Sequence, residues 1–193
     1  MAAVRKPKVP GRLTVKEFLA WCPPGGYLWQ LVDGTPQAMS PPGATHGAIQ
    51  GEVAGLLRAH LLERDRPCRV VVTPGVVPRV QSQHNMRVPD LAVTCAPDTA
   101  EVALPDPVLI VEILSPSNEA ETWANVWAYT TIPSVREILI LRSVEVGAEL
   151  LRRGPDGNWP TSPERVAETV VLESIGFAAP LRAAYRTTRL GQG

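Results

Sequence analysis

Cysteine is scarce. The chain has three in 193 residues, Cys22, Cys68 and Cys95, with no CxxC pair and no Cys/His cluster. That pattern excludes a structural zinc site, argues against a disulfide framework, and points to a reducing cytoplasm. A surplus of charge is also missing, since 19 Lys and Arg balance 19 Asp and Glu. Bulk nucleic-acid binders usually carry a basic excess, so only a local basic groove is left open to such a partner. No apolar run approaches the roughly 20 residues that span a bilayer, and no membrane partner is expected. The opening MAAVRKPKVPGRL has basic residues with no apolar stretch behind them, so no secretory signal is read there. Repeats and low-complexity blocks are absent as well.

What is present suits one domain with an ordinary core, at 45% hydrophobic and 20% charged residues. Most of the twenty prolines fall between periodic segments and punctuate loops. Residues 1–12 read as a flexible tail and residues 13–193 as a single domain. TVKEFLAWC predicts a short helix, with Thr14 as its cap and Glu17 closing a capping box. YLWQLVDGTPQAM predicts a hairpin turning at Asp33-Gly34. In THGAIQGEVAGLLRAHLLERD, Ile49, Val53, Leu57 and Leu61 recur at helical spacing, with Thr45 as the expected cap. His46 and Gln50 share one face of that helix. CRVVVTPGVVPRV, RVPDLAVTC and residues 106–114 read as strands. A second helix, EAETWANVWAYTTI, places Asn125 and Tyr129 together, with Trp123 and Trp127 packing into the core. VREILILRS and VGAELLRRG form the next hairpin, ETVVLESIG is a last strand, and FAAPLRAAYRTTRL is a short helix or tail. Scattered arginines such as Arg152, Arg153, Arg182, Arg186 and Arg189 usually make a solvated face, with phosphate contact as the alternative.

The informative stretch is PVLIVEILSPS, beginning at Pro107. It is short and β-branched and ends in a turn, so it reads as a buried strand. One carboxylate, Glu112, sits inside it. A charge there must be neutralised or paired. A second acid, Asp90, lies in the apolar run VPDLAVTC. Two acids on neighbouring strands can seat a hard divalent cation, which prefers oxygen ligands. The competing readings are a capping role for Asp90 and an ion pair of Glu112 with Arg87 or Arg69.

LVDG at Asp33, MSPPGATH leading to His46, VPD at Asp90, VEILSPS at Glu112, and Tyr129 followed by IPSVREILIL together resemble the Uma-two family of endonucleases. That family is a branch of the PD-(D/E)XK restriction-endonuclease-like superfamily, and the match covers roughly residues 13–185. The resemblance implies an α/β fold with a restriction-endonuclease-like core, a mixed central sheet flanked by helices. It implies hydrolysis of DNA phosphodiester bonds with Mg²⁺ or Mn²⁺ held by Asp90, Glu112 and the backbone carbonyl of Ile113. His46 and Asn125 would stand around the attacking water. A homodimer is left open. In the family a lysine tends to sit four residues before the tyrosine, and here that position is Asn125. An amide carries no charge and accepts no proton at neutral pH, so the departure implies that the metal alone suffices, that another cation such as Arg87 reaches in, or that catalysis is impaired or lost. The alternative is a non-catalytic nucleic-acid- or protein-binding module that keeps the nuclease fold.

Overall fold

A computed structural model describes residues 10–21, 27–64 and 67–192. Residues 1–9 of the expected tail, and Cys22, lie outside the described residues. The chain runs α1 (Val15–Ala20), a hairpin of β1 (Trp29–Val32) and β2 (Thr35–Ala38), then the long α2 (Ala44–Glu63). Strands β3 (Arg69–Val72), β4 (Leu91–Thr94) and β5 (Pro107–Leu114) follow, then α3 (Glu119–Tyr129), β6 (Glu137–Arg142), β7 (Ala148–Arg152) and β8 (Glu164–Val166). A separate ribbon, β9 (Thr169–Leu172) with β10 (Phe177–Pro180), leads into short 3-10 helices at Leu181–Tyr185 and Arg189–Gln192. None of the described helices is long and apolar enough to cross a membrane.

Six strands form one sheet in the order β3-β4-β5-β6-β7-β8. Neighbours are antiparallel except β5 and β6, which are parallel and joined through α3. A parallel pair needs such a crossover. The α/β expectation of a mixed sheet flanked by helices is met.

Alternation along β5 explains the two layers. Leu109, Val111 and Ile113 face α2 and the C-terminal 3-10 helix, in a cluster with Ile49, Val53, Leu57, Leu61 and Tyr185. Ile110 and Leu114 face α3, in a cluster with Val126, Tyr129, Ile132, Ile138 and Ile140. Because a strand's side chains alternate with period two, Glu112 is committed to the α3 side. Each fully buried Leu or Ile in these layers contributes on the order of 1.5–3 kcal/mol.

Local expectations hold at several points. Thr14 and Glu17 form the reciprocal capping box of α1. Asp33 and Gly34 both take positive φ, 49° and 87°, as a two-residue hairpin turn requires. Other details differ. The N-cap of α2 is Gly43, with no side-chain bond, rather than Thr45. The C-terminal stretch gives a strand and a 3-10 helix instead of a single helix or tail. Trp127 is 41% exposed on the outer side of α3, while Trp123 packs partly against the core.

The largest correction concerns cysteine. Cys68 and Cys95 are joined by a disulfide. They flank β3 and β4, whose register pairs Arg69 with Thr94, so the two cysteines face each other one step beyond the ladder. Antiparallel pairing brings together residues that the linear spacing keeps apart.

Candidate active site

Asp90 immediately precedes β4, and Glu112 lies on β5 beside it. The ladder of these two strands pairs Leu91 with Val111 and then stops, because β4 begins there while β5 continues. The carbonyls of Val108 and Leu114 accept from Arg136 and Ser143 on the β6 side. The N–H and C=O of even-numbered β5 residues therefore face β6, and those of odd-numbered residues face β4. Ile113 is left beyond the end of β4 with its edge open. Its N–H donates to Asp90 Oδ2 at 2.7 Å, and its C=O is turned to the same edge.

Asp90 is held from three further directions. His46 Nε2 lies 2.8 Å from Asp90 Oδ1, and in the Nε2–H tautomer the ring donates to the carboxylate. Gln50, one turn further along α2, donates Nε2–H to the Asp90 carbonyl at 2.9 Å. Thr73 donates its backbone N–H to the same carbonyl at 3.0 Å. Thr73 does so with φ of 48°, a left-handed conformation that costs a β-branched residue on the order of 1 kcal/mol or more. His46 and Gln50 share a helix face as their spacing predicts, and both serve Asp90.

Glu112 is 6% exposed. Its partner is the Tyr129 hydroxyl, which donates to Oε1 at 2.7 Å. Among the described residues no arginine pairs with it. Arg69 instead holds the carbonyls of Ala96 and Pro97 and the exposed Asp98. Burial, followed by the adjacent Asp90 charge, pushes the Glu112 carboxyl well above its ordinary range. The buried Tyr129 hydroxyl is likewise raised, by burial first and then by Glu112.

Asn125 lies one turn before Tyr129 on the inner face of α3 and is 6% exposed. Its Oδ1 accepts from Arg87 Nη1 at 2.9 Å, and its Nδ2 donates to Gln30 Oε1 at 3.4 Å. Gln30, wholly buried on β1, donates in turn to Glu121 at 2.7 Å. Asn125 thus belongs to a second polar group, next to the acids along one helix face. Sequence reasoning missed Gln30 and treated Arg87 as a possible partner of the acids or as a cation reaching in where the lysine is missing. Arg87 alone carried a signal, as a lone cation before an apolar run. Arg152 and Arg153 are used structurally, the first on Glu137 and Glu173 and the second on the carbonyls of Thr130, Ile132 and Pro133.

The donor set can be tested against a divalent cation. Among the described residues there is no group of three or more His, Cys, Asp and Glu side chains arranged to hold a metal. What the site offers is two adjoining carboxylates and a main-chain oxygen, a hard-oxygen set of the kind Mg²⁺ takes with waters completing the shell. Each Asp90 oxygen accepts one bond and keeps lone-pair capacity for another. A buried acid with a like-charged neighbour is also the environment a cation relieves. The residues fit.

Known proteins give the same picture at fold level. The family model Uma2, described as "Putative restriction endonuclease", matches residues 15–182. A protein described as "Uncharacterized protein slr1290", from Synechocystis sp., is 28% identical over 178 residues, covering 91% of this chain and 92% of its own. A crystal structure described as a "putative nuclease" from Anabaena variabilis superposes with a TM-score of 0.68 at 19% identity, covering 90% of this chain and 97% of its own.

Proposed function

The chain belongs to the Uma2 family, and from that premise we propose that it is a metal-dependent nuclease that hydrolyses phosphodiester bonds in DNA. The observation that carries this reading is the pairing of Asp90 with the buried Glu112 at the open end of the β4–β5 ladder. Asp90, Glu112 and the Ile113 carbonyl would hold Mg²⁺ or Mn²⁺. When bound, such an ion polarises a phosphoryl oxygen and lowers the pKa of a water.

The chain's own residues do the positioning. His46 and the Ile113 amide fix the Asp90 carboxylate from both sides, and Tyr129 fixes Glu112. Ligand orientation of this kind typically changes metal affinity or activity 10–100-fold. In the reaction the water oxygen bonds to phosphorus, the bond from phosphorus to one sugar oxygen breaks, and that oxygen takes up a proton. His46 is one group of the site able to carry one, and its bond to Asp90 ties it first to orientation.

The test is cleavage of supercoiled plasmid and of single-stranded DNA with Mg²⁺ or Mn²⁺. Asp90→Ala is expected to lower the rate on the order of a hundredfold or more. Residual activity equal to wild type would end the idea of a shared metal site.

One observation favours a second reading, a binding module without catalysis: Asn125 stands where the family's lysine is expected. Metal titration separates the two. A ligand selective for the native state must raise its melting temperature, so a protein that Mn²⁺ leaves unchanged is the binding module.

A further inference from the structure

Arg87 is 6% exposed, and among the described residues no carboxylate makes an ion pair with it. Asp33 and Glu121 act on it only at longer range. Among the described residues its one hydrogen bond is to a neutral amide, Asn125 Oδ1, and its buried Nε has no partner there. Such an arrangement is costly, because a buried charge is normally paired and every buried donor satisfied. Glu137 shows how the same chain settles a buried charge elsewhere. That carboxylate takes Arg152, the backbone N–H groups of Glu173 and Ser174, and the Ser174 hydroxyl.

The location of the unsettled cation is specific. Asn125 orients it, and Tyr129, whose hydroxyl binds Glu112, is one helical turn from Asn125 and within its electrostatic reach. The two acids that would share a cation are therefore joined, through Tyr129 and one turn of α3, to a guanidinium with no anion in contact among the described residues. A phosphodiester brings the missing anion, and a guanidinium with free N–H groups suits its oxygens.

Resting on the nuclease reading, we infer that Arg87 is the substrate-phosphate contact of this site, donating to a non-bridging oxygen of the phosphodiester, with Asn125 as its positioning residue. It supplies, from the segment before β4, a positive charge that α3 lacks: residues 118–129 contain no Lys or Arg. As water adds to phosphorus and the bond to the leaving sugar oxygen breaks, negative charge grows on the oxygens that Arg87 would hold.

Two variants test this, with Asp90→Ala as the control for the parent reading. Arg87→Gln removes the charge. Asn125→Asp leaves Arg87 in place and gives it a carboxylate partner, which should preserve or raise the melting temperature while quenching the cation. Cleavage of supercoiled plasmid with Mn²⁺ is measured, together with metal-free binding of a fluorescein-labelled DNA duplex by anisotropy in EDTA. The expected result is a hundredfold or greater loss of cleavage in Arg87→Gln, and a loss of at least about tenfold in Asn125→Asp. Both should bind the duplex several-fold more weakly. A purely structural Arg87 would leave a well-folded Asn125→Asp cleaving and binding as wild type, and that result overturns the inference. Wild-type behaviour of Arg87→Gln with an inactive Asp90→Ala sinks it too and leaves the nuclease reading intact. An Asp90→Ala that cleaves as wild type sinks the nuclease reading instead. Should wild type cleave nothing, the duplex binding decides: unchanged or absent affinity overturns the inference, and weaker binding by both variants supports it. Should Arg87→Gln fail to fold, Asn125→Asp carries the decision alone.

Discussion

Glu112 sits in the α3-facing layer with aliphatic neighbours, a tyrosine hydroxyl as donor and a second acid alongside. Without a cation it is most comfortable neutral, so an isosteric amide should fit at least as well. Glu112→Gln is expected to melt in EDTA no lower than wild type, and to lose the Mn²⁺-induced rise in melting temperature. Differential scanning calorimetry with and without Mn²⁺ checks both halves. A drop of several degrees in EDTA would mean that the carboxylate is needed for folding itself. At this scale much was legible beforehand. A charge inside PVLIVEIL is conspicuous in any sequence, and His46 with Gln50 follows from helical spacing. The contacts of Arg87 and Gln30 with Asn125 were not legible. They cross 38 and 95 residues between side chains whose own segments carry no matching signal.

At the level of elements, the pairing of β4 with β5 follows from two apolar runs each holding an acid, and it places the acids as adjacent strands predict. The disulfide does not follow. Cys68 and Cys95 are 27 residues apart, and only the antiparallel register of β3 and β4 makes them neighbours. The strands that escaped sequence reading, β8 and β10, are three and four residues long, too short for alternation to stand out. Closing a loop of this size restricts the unfolded chain, which typically contributes about 2–4 kcal/mol. Protein purified without reductant and unfolded in urea is therefore expected to show one reactive thiol per chain. Dithiothreitol should expose all three and lower the melting temperature. Three thiols before reduction would refute the pairing. The reducing compartment inferred from scarce cysteine loses its premise at this bond.

For the molecule as a whole, the C-terminal segment closes one face of the sheet. Tyr185 is fully buried, and the single proton of its hydroxyl is shared between the carbonyls of Gly147 at 2.7 Å and Arg142 at 3.0 Å in the β6–β7 turn. Burial raises its pKa above the usual 10.0. The native state then keeps a proton that the unfolded chain releases. The associated stability is present below pH 10 and is lost as pH rises through the folded value. Tyr185→Phe removes this term and the one proton that the two carbonyls share, costing about 1–3 kcal/mol near neutrality. Urea unfolding at neutral and strongly alkaline pH should show a gap between wild type and Tyr185→Phe that narrows as pH rises. A constant gap would mean that the hydroxyl does not titrate with unfolding. The layered α/β architecture was legible in sequence because periodicity reports burial. The way the chain's end folds under α2 was not, since a four-residue strand and a 3-10 turn leave little periodic trace.

The unfinished β4–β5 ladder has one more result. Asp90 is not aimed by its rotamer alone. It stands in for the peptide group that a longer β4 would have placed opposite Ile113. The spacing of the two acids is therefore inherited from backbone geometry. Inserting a single residue between Pro89 and Leu91 would shift the frame and turn the carboxylate away, a change that no neighbouring side chain could repair. Such a site tolerates wide sequence divergence and very little change in length.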